Sequence, residues 1–192
     1  LESDPAQAFE RYQLAPDLPV VLFVGGSLGA AKLNELAIAA AKVQARNYQI
    51  LHITGPRYYE EVRLELGEVS DHCLKDYENR MGDAYAVASL VVCRAGSSTL
   101  AELAAVGRAS LLIPSPNVTE NHQEENARGL QEAGAAEVLL EGGWDLSAAT
   151  TSVHQLMNDS NKLKAMNVAA RSQARLDAAP RAADVVEGLL SR

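Results

Sequence analysis

The chain has 192 residues, and 17 Lys+Arg against 25 Asp+Glu give it a formal net charge of -8. That length suits one domain or two small ones with a core that needs no disulfide or metal, and the acidity excludes nucleic acid as a general partner and restricts membrane contact to local patches. Apolar residues reach 47%, too many for disorder, while aromatics are only 5%, so Val, Leu, Ile and Ala must build the core.

The start Leu1-Glu2-Ser3-Asp4 lacks the basic and apolar parts of a signal peptide, and beginning on Leu points to a piece of a longer protein. No window approaches the roughly 18 to 20 apolar residues that cross a membrane. Asp4-Pro5-Ala6-Gln7 reads as a helix start with an N-cap, a proline at the first position and a capping-box Gln, opening a peripheral lead-in over residues 1–18. Val20 to Val24 is continuously apolar, as for a strand covered on both faces. Gly25-Gly26-Ser27-Leu28-Gly29 follows, and then Leu33, Leu36, Ala37, Ala40 and Ala41 recur at helical spacing.

Further strands are predicted at Gln49 to Thr54, around Cys73-Leu74, at Leu90 to Cys93, at Ser110 to Ile113 and at Glu137 to Leu140. Helices are predicted at Asp83 to Ala88, Ser98 to Val106 and Glu124 to Ala133. The stretch Leu146 to Ser191 reads as helical, with breaks at Asp159-Ser160-Asn161 and Pro180. Alternation of this kind predicts an α/β fold: a Rossmann-like, doubly wound parallel sheet of about six strands, within a domain spanning 19–178. Residues 179–192 form a terminal helix whose Ala182, Val185, Val186, Leu189 and Leu190 make an apolar stripe.

Ligands of open parallel sheets bind beyond the carboxyl ends of the strands, where four polar segments fall. Gly25-Gly26-Ser27-Leu28-Gly29-Ala30 lets backbone approach an anion at a helix start, but it also reads as a plain tight turn, and it is neither G-x-G-x-x-G nor a P-loop. Ser97, Ser98 and Thr99 open a helix with hydroxyls and N–H groups; Glu102 follows, either to take a ribose diol or simply to complement the helix dipole. The loop Asn117 to Gln123 carries neutral hydrogen-bonding groups suited to sugar hydroxyls, or is only a capped solvated loop. His52 ends a strand and reads as a structural imidazole. Asp71-His72-Cys73 is adjacency rather than a triad or zinc site, Cys73 and Cys93 read as free thiols, and His154 and Trp144 as packing or surface groups. Together the segments suit a nucleotide diphosphate carrying a polar group, held by dipoles rather than by a basic patch.

Gly25 to Ala30, Cys93-Arg94-Ala95-Gly96-Ser97-Ser98-Thr99-Leu100-Ala101-Glu102, and Leu112 to Pro116 with His122 to Ala127, in that order, resemble the MurG family of glycosyltransferase family 28 over nearly the whole chain. Members move N-acetylglucosamine from UDP onto a lipid-linked muramoyl-pentapeptide to make lipid II in peptidoglycan synthesis, and so serve cell shape and division. The match is to the C-terminal, donor-binding half of their two-domain GT-B fold. The resemblance implies that Gly25, Gly26 and Ser27 meet the diphosphate with the backbone of Ser97, Ser98 and Thr99. Glu102 would take the ribose, and Gln123, with His122 and Asn126, the sugar hydroxyls. Tyr77 to Met81 matches the segment whose backbone reads uracil, although Glu78 stands where the family often has an apolar residue, and Ala109 where proline is common.

The acceptor domain, its glycine-rich loop with a histidine, its membrane patch on the cytoplasmic face and an arginine expected just before Leu1 lie outside this sequence. No catalytic base is therefore assigned, and the resemblance implies donor binding without transfer by this piece alone. It implies no cofactor and no metal. UDP-N-acetylglucosamine, the acceptor domain and the lipid-linked acceptor are the expected partners, and residues 179–192 would pack on that domain. Alternatives are the donor subunit of another lipid-linked N-acetylglucosamine or diacylglycerol transferase, an NAD(P) oxidoreductase domain disfavoured by glycine spacing, and a non-catalytic module using the terminal apolar stripe.

Overall fold

Five residues that are apolar without interruption can form a strand only if helices cover both faces of its sheet, and that is how β1 (Val20–Val24) sits. The computed structural model describes residues 3–117 and 121–190. β2 (Gln49–Ile53), β3 (His72–Lys75), β4 (Leu90–Cys93), β5 (Ser110–Leu112) and β6 (Ala136–Val138) join β1 in one parallel sheet of order β3-β2-β1-β4-β5-β6. Val21 and Phe23 pack on one face beneath α2 (Ala31–Ala41), α3 (Tyr59–Leu66), α7 (Leu146–Asn158) and α8 (Ser160–Ser172). Val20, Leu22 and Val24 pack on the other, beneath α1 (Pro5–Tyr12), α4 (Met81–Val87), α5 (Ser97–Val106) and α6 (His122–Glu132). The doubly wound α/β reading therefore holds. From β1 the chain crosses to β2 on one side, and from β4 to β5 on the other, so the order reverses between β1 and β4 and opens a crevice at their carboxyl ends.

Several details differ from the expectations. The lead-in helix is no appendage: Ala8 and Tyr12 of α1 are buried in the core. Its cap is also simpler than a capping box, because Asp4 Oδ1 accepts from Ala6 N at 2.9 Å while the Gln7 amide donates to Asp4 Oδ2 at 3.0 Å rather than reaching back to backbone. Helix α3 was not predicted. β6 begins one residue earlier than predicted, at Ala136, and ends at Val138. Pro180 interrupts nothing, since it lies in the first turn of α9 (Ala178–Leu190), where a missing N–H is harmless; the break falls instead at 173–177. Val185, Val186, Leu189 and Leu190 of α9 are exposed. Ser191, the predicted end of the helical stretch, lies outside the described residues. Among the described residues no helix is long and apolar enough to cross a membrane.

Candidate functional site

A cleft of about 690 Å³ occupies the crevice between the carboxyl ends of β1 and β4. The Gly25–Gly29 loop forms one wall and the start of α5 the other. Neither helix that begins there has a side-chain cap: Ala30 precedes α2 and Gly96 precedes α5, each in extended conformation without a capping hydrogen bond. Their first-turn N–H groups are thus available to an anion, and both dipoles point positive ends at the same space.

The glycine loop is held by direct backbone packing. Gly29 has φ of +77°, and a Cβ placed on it would lie 2.0 Å from the Thr54 carbonyl oxygen. Gly55, at φ of +83°, presses back: its Cβ would lie 2.5 Å from Gly29 Cα. The loop after β1 therefore rests on the turn after β2, which sets its height above the sheet. That turn is secured from below by two buried polar residues. Asn34 Nδ2 donates to Thr54 O at 3.2 Å, and Asn34 Oδ1 meets His52 Nε2 at 2.9 Å. With the Asn34 amide nitrogen already donating, the proton of a neutral His52 belongs on Nε2.

Burial, then neighbouring His72, lowers the His52 pKa to about 3, and burial, then Arg46, lowers that of His72 to about 4. His72 points to the same face as His52, with ring centroids 5.5 Å apart, while Cys73 packs on the opposite face, so no Asp71-His72-Cys73 triad forms. Because both folded-state values lie below the unfolded 6.5, stability is complete above that pH and falls as the pH drops from 6.5 toward 4 and 3. Moving from pH 7.5 to pH 6 should cost about 1.5 kcal/mol for the pair. Urea unfolding at the two pH values tests this, and a midpoint unchanged between them would contradict it.

On the other wall, Tyr85 of α4 donates its hydroxyl to Glu102 Oε2 at 2.7 Å. Burial and then Glu102 itself push the Tyr85 pKa upward, so the phenol stays a donor and one carboxylate oxygen is fixed while the other is left for a ligand. Burial, then Glu102, raises the Cys93 thiol to about 12, which makes it inert although it borders the cleft. Arg94 Nη1 donates to the carbonyls of Ile113 at 3.0 Å and Pro114 at 3.2 Å and pairs with Glu141 Oε1 at 2.6 Å, tying the loops after β4, β5 and β6 together. Gln123 Oε1 accepts from Ser115 N at 2.9 Å, leaving its amide NH2 to donate elsewhere.

Of the predicted site residues, Gly25, Gly26, Ser27, Glu78, Thr99, Glu102 and Gln123 line this one cleft. Ser97 and Ser98 lie in the first turn of α5 with exposed side chains that do not line it. His122 is exposed and Asn126 half-buried on α6; neither lines the cleft. Val118, Thr119 and Glu120 of the predicted sugar-reading loop lie outside the described residues. The Glu78 side chain is only 1% exposed, and its carboxylate is engaged by Arg11, Lys75 and the Arg80 N–H. Tyr85 and Glu141 were not singled out by the sequence, and Arg94 and Thr54 stood there only as members of larger segments. Among the described residues no three His, Cys, Asp or Glu side chains group to hold a metal ion.

A family model described as the glycosyltransferase family 28 C-terminal domain matches residues 20–182. Among curated relatives, the UDP-N-acetylglucosamine--N-acetylmuramyl-(pentapeptide) pyrophosphoryl-undecaprenol N-acetylglucosamine transferase of Listeria monocytogenes serovar 1/2a is 40% identical over 192 residues, covering 98% of this chain and 52% of its own. The Oenococcus oeni protein of the same name is 41% identical over 177 residues, covering 88% and 47%. The crystal structure of Acinetobacter baumannii MurG superposes with a TM-score of 0.82 at 28% identity, over 94% of this chain and 53% of that one. The chain thus spans about half the length of the relatives it matches.

Proposed function

The chain belongs to the glycosyltransferase family 28 C-terminal domain, and from that premise we propose that its cleft binds UDP-N-acetylglucosamine as the donor half of an inverting transferase. The acceptor is the lipid-linked muramoyl-pentapeptide named for its relatives, and the product is lipid II. The observation that carries this reading is the pair of uncapped helix starts facing one cleft, with the tyrosine-oriented Glu102 on its wall. A diphosphate bridges the N–H groups of Gly26, Ser27 and the first turn of α5, so that its charge meets two helix dipoles. Glu102 accepts from the ribose hydroxyls, the backbone of the 77–81 loop takes the uracil, and the Gln123 amide donates to a sugar hydroxyl, with His122 and Asn126 nearby on α6.

In this reading the chain's chemistry is to hold the leaving UDP. Stabilising negative charge on the β-phosphate as the glycosidic bond breaks is worth more in the transition state than in the ground state. The incoming hydroxyl and the group that takes its proton come from an acceptor domain, on which the exposed stripe of α9 packs and which meets the cytoplasmic face of the membrane. Calorimetric titration with UDP-N-acetylglucosamine, UDP-glucose and NADH tests the reading. Saturable binding of the UDP-sugars without binding of NADH is expected; NADH binding, or a folded chain that binds no UDP-sugar, would overturn it. The 192 residues alone should give no lipid II from lipid I, and product formed by them would place the base within this chain.

A further inference from the structure

Glu78 and Asp83 are two buried carboxylates, 1% and 6% exposed, beside the loop that walls the cleft with Tyr77, Glu78 and Met81. Both pair with one residue of α1: Arg11 Nη2 lies 3.1 Å from Glu78 Oε1, and Arg11 Nη1 lies 3.3 Å from Asp83 Oδ2. Lys75 Nζ adds a contact to Glu78 Oε2 at 3.3 Å, and Arg80 Nε one to Asp83 Oδ2 at 2.9 Å. Glu78 Oε1 also accepts the backbone N–H of Arg80 at 2.8 Å, so the carboxylate that α1 grips directly fixes the loop's main chain. Burial alone would raise the Glu78 carboxyl, but the Arg80 N–H, the neighbouring Tyr12 hydroxyl and Lys75 hold it below the usual range, and it stays charged at neutral pH.

Burying such a charge is a poor route to stability, because an apolar side chain of similar size commonly serves as well or better. What an ion pair adds is direction. Here it links a helix before the family-matched residues 20–182 to the loop at one end of the cleft. We infer that α1 is part of the donor site, with Arg11 a positioning residue that acts through Glu78 and Asp83 to hold the 76–81 loop ready for the nucleobase of a uridine nucleotide. This inference rests on the function proposed above. A loop held in advance is not ordered at the expense of binding, so loosening it weakens only ligands that reach it.

The test is titration of the unsubstituted chain, Arg11→Met and Glu78→Leu with UDP-N-acetylglucosamine, uridine and pyrophosphate. Arg11→Met leaves two carboxylates buried without their shared cation and can unfold the chain, whereas Glu78→Leu fills its site with an apolar group. Folded variants should lose about tenfold in affinity for uridine and for the UDP-sugar while keeping their affinity for pyrophosphate. Uridine affinity unchanged in folded Glu78→Leu overturns the positioning role alone. An equal loss for pyrophosphate also overturns it, since it marks general loosening of the fold. No binding of UDP-N-acetylglucosamine by the unsubstituted chain overturns the proposed function, and the role of α1 with it.

Discussion

Gly29→Ala should lower stability by about 4 kcal/mol and leave the remaining folded protein without measurable affinity for UDP-sugars. The added methyl would sit 2.0 Å from the Thr54 carbonyl oxygen and 2.9 Å from the Tyr58 ring, at a φ of +77° that alanine resists. The ring can turn aside, but the carbonyl cannot readily: Thr54 O is gripped by Asn34, and Gly55 beyond it touches Gly29 in return. Relief therefore requires the loop to lift from the sheet, carrying the Gly26 and Ser27 N–H groups away from α5. Gly26→Ala is the control. It shares a positive φ, +83°, but its added methyl would meet no atom within 4 Å, so it should show only the backbone strain of about 1 kcal/mol. Thermal unfolding and calorimetry on the two variants read both effects, and equal destabilisation by the two would show that packing against Thr54 does not matter.

Glu102→Ala should weaken UDP-N-acetylglucosamine binding about 100-fold with little change in stability. A carboxylate that accepts two ribose hydroxyls makes two charge-assisted bonds, and their loss is worth about 3 kcal/mol. Tyr85→Phe should cost less, about fivefold, because it frees the carboxylate to rotate but leaves its charge in place. The separation between ligands is diagnostic: 2′-deoxy-UDP keeps one hydroxyl for Glu102, so Glu102→Ala should weaken it only about tenfold, against about 100-fold for the UDP-sugar. Full affinity of Glu102→Ala for the UDP-sugar would remove Glu102 from the site.

What could be read in the sequence follows from how far each signal reaches along the chain. Val20 to Val24 and Leu90 to Cys93 declare themselves because a strand buried on both faces must be apolar at every position. The two anion-ready loops were legible because glycine and small hydroxyl residues stand directly before helices. Helix α3 escaped because it buries only Val62 and Leu66, carries charge elsewhere and has no side-chain cap at Tyr58. The reason Gly29 must be glycine lies 25 positions away at Thr54, and the partner of Glu102 lies on another helix. Arg11 reaches Glu78 across 67 positions, so the helix that looked peripheral and the glutamate that stands where the family often has an apolar residue explain each other only in three dimensions.

The most direct measurement is a crystal structure of the chain with UDP-N-acetylglucosamine bound. The diphosphate is expected between the Gly26–Ser27 backbone and the first turn of α5, with the ribose on Glu102 and the uracil against the 77–81 loop. A nucleotide seated outside the β1/β4 crevice, or seated within it with its ribose away from Glu102, would contradict the donor-site assignment.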